Sequence, residues 1–187
     1  MLSKGFSLVE LLFALAISSL LMFGAMSFYP ALQQDVLLIY QQNRMQETVN
    51  QAFAGLIKDV KRAGFIANDP ALITEQSIEI SAKNDCIITR YDAESTGKWR
   101  YFPLDSKNSD IFAYRYNKNN LEYRVGVPNC IGTGWEKLFD PDEIKVMQFS
   151  VEQHVGYIEL NISTALTKRT SSLFKLTQLV GNINGGA

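Results

Sequence analysis

A run of apolar and small side chains near the amino terminus constrains this chain more than any other feature. It extends from Phe6 to Tyr29 and contains one full charge, that of Glu10. As a helix, these 24 residues would be about 36 Å long, which is enough to cross the hydrocarbon core of a bilayer. Because an ionised carboxylate inside a membrane is costly, we expect Glu10 to lie near an interface, to be neutralised or to be paired.

The residues around Glu10 follow a specific pattern. Positions 4–10 read KGFSLVE, and about 20 mostly apolar residues follow. This pattern resembles the processing site of type IV prepilins and of the related type II secretion pseudopilins, in which a prepilin peptidase cuts after the glycine and methylates the new amino terminus. The resemblance implies a leader of residues 1–5 ending at Gly5, N-methylation of Phe6 as the first mature residue, and a role for Glu10 in filament assembly.

Physical chemistry is consistent with that role of Glu10. Cleavage would leave a cationic amine on Phe6, four residues before the carboxylate. Residues four apart lie on the same side of a helix, and opposite charges attract strongly where the dielectric constant is low. Glu10 could therefore pair with its own terminal amine or with that of a neighbouring subunit, and either pairing would offset part of the cost of burial.

The flanks of the apolar run indicate an orientation. Lys4 precedes the run, so the positive-inside tendency predicts a cytoplasmic amino terminus and a periplasmic carboxyl-terminal domain, with one pass through a bacterial inner membrane. The alternative is an ordinary secretory signal peptide that is cut near the small residues Gly24 and Ala25. The charge of Glu10 within the run argues against that alternative.

The helix is predicted to continue beyond the apolar run. Pro30 should bend or loosen it, but residues 31–63 contain no further proline and favour helix. Val49, Phe53, Leu56 and Val60 recur at helical spacing and predict an apolar stripe that packs on the following domain. Residues 6–29 would form the membrane or filament-core half of the helix, and residues 30–64 the amphipathic half, which ends at Gly64. A coiled-coil seam is the alternative, but the stripe covers few heptads.

After Gly64 the sequence changes to short β-rich runs separated by turn residues. The strand candidates are residues 77–81, 86–91, 111–116, 121–125, 145–153, 157–164 and 172–180, with hairpin turns at 117–120 and 154–156. Local hairpins predict an antiparallel sheet with the amphipathic helix beside it. The predicted fold class is α+β and pilin-like, with a periplasmic β-rich head domain over residues 65–187.

The two cysteines of the chain, Cys86 and Cys130, both lie in the predicted head. A pair of cysteines outside the cytoplasm favours a disulfide, and closing a loop of about 44 residues would stabilise the fold by about 4 kcal/mol on the chain-entropy model. Two buried free thiols are the alternative. Their spacing matches no metal or redox motif.

A second stretch of sequence makes the resemblance to pilins more specific. Residues 59–65, DVKRAGF, are similar to the end of the long helix in the larger minor pilins of the PilW-like group, which includes prepilin peptidase-dependent protein B, and in J-type pseudopilins. Members of this group are low-abundance subunits that prime assembly or sit at the filament tip. The resemblance implies as partners the prepilin peptidase, other minor pilins or pseudopilins, the inner-membrane assembly platform and the lipid bilayer.

Other functional classes find little support in the sequence. The net charge of −1 gives no electrostatic footprint for nucleic acid. The one histidine, His154, falls at a predicted turn without the pattern of a catalytic triad. The acidic stretches 140–143 and 105–110 could bind calcium, but they lack the EF-hand spacing and are better interpreted as polar turns. We therefore predict no cofactor, no metal and no enzymatic activity.

The sequence thus predicts a minor type IV pilin-like subunit that primes or caps a pilus-like filament. A J-type pseudopilin at the tip of a type II secretion pseudopilus is the alternative within the superfamily. A membrane-anchored periplasmic adhesin or enzyme is the alternative from another class, and persistence of uncut chain in cells with active peptidase would favour it.

Overall fold

The computed structural model describes residues 7–69, 75–99 and 108–181. Within them, one helix precedes eight strands. The elements are α1 (Leu8–Arg62), β1 (Ile78–Ile80), β2 (Cys86–Arg90), β3 (Ile111–Asn117), β4 (Asn120–Val125), β5 (Glu136–Lys137), β6 (Ile144–His154), β7 (Tyr157–Leu166) and β8 (Arg169–Gly181). The chain divides into two compact units, residues 1–43 and 44–187, and each is described by itself.

The first unit contains the amino-terminal part of α1. Every side chain from Leu8 to Leu37 is exposed, and the helix continues through Pro30 as predicted. Three serines in this part donate to the carbonyl oxygen three residues earlier: Ser18 at 3.1 Å, Ser19 at 2.8 Å and Ser27 at 2.8 Å. Since these hydroxyl donors are satisfied within the helix, they add little to the cost of placing it in an apolar solvent.

In the second unit, α1 has one buried face. Val49, Phe53, Leu56 and Val60 are each at most 1% exposed, which confirms the predicted stripe. Phe53 meets the ring of Phe149 on β6 edge to face, with centroids 6.4 Å apart. The burial of these side chains against the strands adds to the helix propensity of this stretch and stabilises the helix.

The end of α1 follows from local backbone chemistry. The helix ends at Arg62, and Gly64 has a φ of +87°, which a glycine adopts without strain. The amide of Gly64 then donates to the carbonyl of Arg90 at 2.9 Å. This hydrogen bond connects the end of the helix to the end of β2.

The first sheet is antiparallel, with the strand order β1-β2-β3-β4-β5. All five residues of β2 are buried, as expected for a strand that is covered on both faces. The β3–β4 hairpin turns at Lys118 and Asn119, which have φ values of +45° and +60°. Positive φ at both central residues is typical of the type I′ turn, which matches the twist of the two strands.

The second sheet contains β6, β7 and β8 in that order, again antiparallel. Val155 and Gly156 lie in the β6–β7 turn, at the position of the predicted hairpin. Two backbone bonds join β6 to turns of the first sheet, from Val151 to Asn84 at 2.8 Å and from Val146 to Asn119 at 2.9 Å. Both sheets therefore belong to the same head.

The predicted α+β class, with a long amino-terminal helix and antiparallel strands, is confirmed, but the head has two sheets where the sequence predicted one. The short β5 was also not predicted. Buried Asn120 helps to explain the division, because its amide nitrogen donates to the carbonyl of Phe139 at 2.8 Å and its amide oxygen accepts from the Phe139 N–H at 3.3 Å. These bonds occupy the backbone of Phe139, so the chain leaves the first sheet before β6 begins.

Candidate functional site

The predicted processing site lies at the start of the chain. Gly5 and Phe6 lie outside the described residues, which begin at Ser7. Ser7 precedes the first turn of α1, and Glu10 is three residues further on.

Ser7 and Glu10 form a reciprocal cap on the helix. The backbone N–H of Ser7 donates to Oε2 of Glu10 at 3.1 Å, and the N–H of Val9 donates to Oγ of Ser7 at 3.4 Å. This arrangement is a capping box, and it also places a carboxylate where the helix dipole favours negative charge. The spacing of Ser7 and Glu10 could have predicted it from the sequence. Glu10 is therefore already hydrogen bonded in the isolated chain.

The helix surface around Glu10 is apolar and uncovered. Phe13 is 66% exposed, Phe23 is 77% exposed and Phe28 is 79% exposed. An 18-residue window of α1 has a mean hydropathy of 2.2, and among the described residues α1 is the one helix long and apolar enough to cross a membrane. Such a surface suits lipid or other apolar helices and is unsuited to water.

A buried carboxylate connects the second part of α1 to the first sheet. Asp59 is 4% exposed and accepts hydrogen bonds from the hydroxyls of Tyr91 at 2.8 Å and Tyr114 at 2.6 Å. Lys58 approaches the same carboxylate at 3.9 Å. The burial of Asp59 was not predicted from the sequence, because an aspartate beside a lysine on a helix has the pattern of a solvent-exposed residue.

The burial of this cluster changes the acidity of its members. Burial raises the pKa of Asp59, although the hydrogen bonds from Tyr114 and Tyr91 and the nearby cations partly oppose the rise. Burial and the neighbouring Asp59 carboxylate also raise the pKa of Tyr114 and that of Tyr91. The two tyrosines thus remain hydrogen-bond donors across the ordinary pH range. We call the hydrogen-bonded group of Asp59, Tyr91 and Tyr114 the Asp59 lock, because it holds α1 on the first sheet.

A disulfide holds the loop that follows β4. The sulfurs of Cys86 on β2 and Cys130 are bonded, with a Cα–Cα distance of 6.3 Å. Arg115 on β3 supports the same loop by donating to the carbonyl of Cys130 at 2.9 Å and to Oε2 of Glu122 at 2.9 Å. Its guanidinium carbon lies 4.1 Å from the ring centroid of Trp135. The disulfide and the contacts of Arg115 together hold in place a segment that contains little regular structure.

The polar residues that were considered for other chemistry take structural positions. His154 is the last residue of β6, and its ring stacks on Tyr157 with centroids 4.7 Å apart. In the acidic turn, Asp140 accepts from the N–H of Asp142 at 2.9 Å, and Glu143 forms an ion pair with Arg44 at 3.2 Å. Among the described residues, no group of three or more suitable side chains is arranged to hold a metal ion. Asp105 of the other acidic stretch lies outside those residues.

Two family models match the chain. Residues 1–26 match the prokaryotic N-terminal methylation motif, and residues 38–181 match the model of prepilin peptidase-dependent protein B. The second match covers α1 from its middle onward and all eight strands. The chain belongs to the prepilin peptidase-dependent protein B family.

A curated relative supports this membership. Prepilin peptidase-dependent protein B of Escherichia coli (strain K12) is 36% identical over 148 residues, which cover 79% of this chain and 76% of the relative. No solved structure matches the chain at a significant level. The chain is thus a pilin-like protein of the prepilin peptidase-dependent class, with an N-terminal methylation motif and, among the described residues, one helix long and apolar enough to anchor it in a membrane.

The family matches divide the molecule much as the structure does. The methylation motif covers residues 1–26, which include the first part of the exposed apolar surface of α1. The prepilin peptidase-dependent protein B match covers the Asp59 lock, the disulfide and both sheets. One part of the chain thus matches the methylation motif, and the other matches the family model.

Proposed function

We propose that the chain is a minor pilin-like subunit that primes or caps a pilus-like filament after cleavage following Gly5 and N-methylation of Phe6. The observation that carries this proposal is the presence, in one chain, of the methylation motif and of the prepilin peptidase-dependent protein B domain. The match to that family supports a pilin-type subunit over a J-type pseudopilin. The protein serves a structural and assembly role, and it uses no cofactor.

Before cleavage, the apolar part of α1 anchors the chain in the inner membrane. The flank with Lys4 stays in the cytoplasm, and the head lies in the periplasm. In this state the peptidase, the bilayer and the membrane-embedded assembly platform are its partners. The uncovered apolar side chains from Leu8 to Tyr29 contact lipid.

After cleavage, the same surface packs against the helices of other minor pilins. Exchange of lipid for apolar side chains gives little hydrophobic driving force, so close packing and polar contacts determine which helices associate. Glu10 supplies the polar contact. Its carboxylate exchanges the Ser7 amide, 3.1 Å away, for the cationic amino terminus of Phe6 or of a neighbouring subunit.

The size and stability of the head fit a position at the start or tip of a filament. The unit from Arg44 onward comprises 144 residues with two sheets and a disulfide. A large head limits how many neighbours can surround it. A subunit at a tip or in a priming complex needs fewer neighbours than one within the shaft.

The cleavage step is tested with Gly5→Ala in the full chain. We expect processing to fall at least tenfold, measured by the electrophoretic shift and by mass spectrometry of the amino terminus. Gly24→Ala is the matched control, because a Cβ at Gly24 meets no atom within 4 Å. A normal mature amino terminus in the Gly5 variant would overturn the peptidase assignment.

The role of Glu10 is tested with Glu10→Leu. We expect membrane insertion and cleavage to persist while recovery with assembled filaments drops several-fold, because the polar contact between subunits is lost. Glu47→Leu, a change at an exposed carboxylate further along α1, is the control. Undiminished recovery of the Glu10 variant would contradict the pairing role.

A further inference from the structure

The outer edge of β8 is a long row of backbone groups at the side of the second sheet. In the part of the chain that the structure describes, β8 pairs with β7, and no strand lies along its other side. An edge strand leaves alternate N–H and C=O groups available to another strand. We call Leu173–Val180 the β8 edge.

The β8 edge lacks most of the usual protections of an exposed strand. β8 has 13 residues, whereas the outer strands of the first sheet, β1 and β5, have three and two. The register shift in its pairing with β7 lies near Leu166, before the β8 edge begins. The segment contains no proline and one charged residue, Lys175. Proteins usually shorten, bend or cover such an edge.

The β8 edge also presents apolar side chains on both faces. Leu173 and Leu179 are 49% and 64% exposed on one face. Phe174 and Leu176 are half-buried on the other face, where they sit across from Thr164 and Ile162 of β7. An added strand would cover apolar side chains on each face while its backbone pairs with β8.

The charges near this edge indicate what kind of strand it accepts. From Leu160 to Gly181 the chain carries Lys168, Arg169 and Lys175 and no aspartate or glutamate. Glu159 of β7 lies across from Leu179, at the far end of the edge from Lys175. Lys175 sits across from the neutral Ser163 of β7. Two copies of this edge that paired about Lys175 would place two cations across from each other, which is destabilising, whereas a carboxylate across from Lys175 would be stabilising.

We propose that the β8 edge binds an extended strand from another subunit of the filament, with alternating apolar side chains and a carboxylate facing Lys175. The proposal rests on the proposed function, because it assumes that the chain assembles with other subunits. Strand addition extends the second sheet of the head into the neighbour and supplies a contact separate from the packing of the apolar helices.

An alternative role for Lys175 can be distinguished by substitutions of this residue. A lysine on an edge strand often serves only to prevent self-association. In that case Lys175→Ala would increase pairing between copies of this chain. If Lys175 faces a partner's carboxylate, Lys175→Ala would instead reduce heterotypic contact by several-fold and Lys175→Glu would reduce it further.

The test places a photo-activated cross-linking amino acid at Thr177 of the full chain, in cells that also produce the other filament subunits. Thr177 is an exposed residue of the β8 edge, and Lys83, in the exposed turn before β2, is the matched control position. We expect a cross-link from position 177 to a strand of another subunit that contains a carboxylate. The cross-linked peptide is identified by mass spectrometry.

The outcomes decide between the alternatives. A cross-link that maps to an acidic strand, weakens at least fivefold with Lys175→Glu and returns when that carboxylate is changed to lysine would support the proposal. Cross-linking to lipid, to another copy of this chain, or at the same level as from position 83 would overturn it. Failure of the chain to co-purify with any filament subunit would instead overturn the proposed function, so the two failures are distinguishable.

Discussion

The two parts of α1 are continuous in backbone structure and opposite in side-chain environment. From Leu8 to Leu37 every side chain is exposed, including large aromatic ones. From Met45 onward, one side of the helix is buried and the other is polar. One helix is therefore suited to two environments. Its first part exposes apolar side chains that suit lipid or other helices, and its second part is stabilised by packing on the strands of the same chain.

The most direct test of this difference replaces one phenylalanine with alanine in each of the two parts of α1. Phe53→Ala should lower the free energy of unfolding of the head by about 3 to 5 kcal/mol, because it removes a buried ring that contacts Phe149. Phe13→Ala, at a site 66% exposed, should leave that free energy unchanged. Denaturant unfolding of the full chain in detergent, followed by tryptophan fluorescence, measures both. If the two substitutions lowered the free energy of unfolding equally, the two parts of α1 would not differ in their packing on the head.

The disulfide provides a second test, because it belongs to the head alone. Replacement of Cys86 and Cys130 by serine should lower the free energy of unfolding by about 2 to 4 kcal/mol, since the open loop regains conformational entropy in the unfolded state. Membrane association of the chain, measured by flotation with membranes, should not change. A loss of membrane association would show that the anchor depends on the head.

The smallest expected effect concerns the pH dependence of the head. The pKa of Asp59 is raised above its ordinary value of 3.8, so the folded state keeps the proton to higher pH than the unfolded state does. This contribution to stability is therefore present below pH 3.8 and is lost as the pH rises through the folded pKa. Asp59→Asn should remove this loss.

Unfolding of the full chain in detergent at a series of pH values from acidic to neutral measures this slope. The control is Asp142→Asn, which changes an exposed carboxylate in a turn. An Asp59→Asn variant that loses stability with rising pH as steeply as the parent would contradict the assignment of the raised pKa to Asp59.

Periodic features of the head were predictable from the sequence because they depend on local spacing. The stripe through Val49 and Phe53, the helix end near Gly64 and the two hairpins follow from side-chain period and turn chemistry. The burial of Asp59 was not predictable, because its partners Tyr91 and Tyr114 are 32 and 55 residues away. The division into two sheets likewise depends on a side-chain contact between Asn120 and Phe139.

In the candidate site, too, local features were predictable from the sequence, and features that depend on the tertiary fold were not. The sequence pattern of residues 4–10 indicates cleavage after Gly5, methylation of Phe6 and a role for Glu10, and these assignments stay predictions. The capping box between Ser7 and Glu10 is local and could have been predicted from their spacing. The edge of β8 could not, because a strand becomes an edge only through the order of strands in the sheet.

The end of α1 has a mechanical consequence for a protein that is held by one end. The helix meets the first sheet through the Asp59 carboxylate, through the Gly64 amide bonded to Arg90, and through the Asp92 amide bonded to the carbonyl of Phe65. A tensile load along the helix is passed to the first sheet through these bonds. The fold thus joins its anchoring helix to inner strands of the first sheet, β2 and β3, and not to an edge strand.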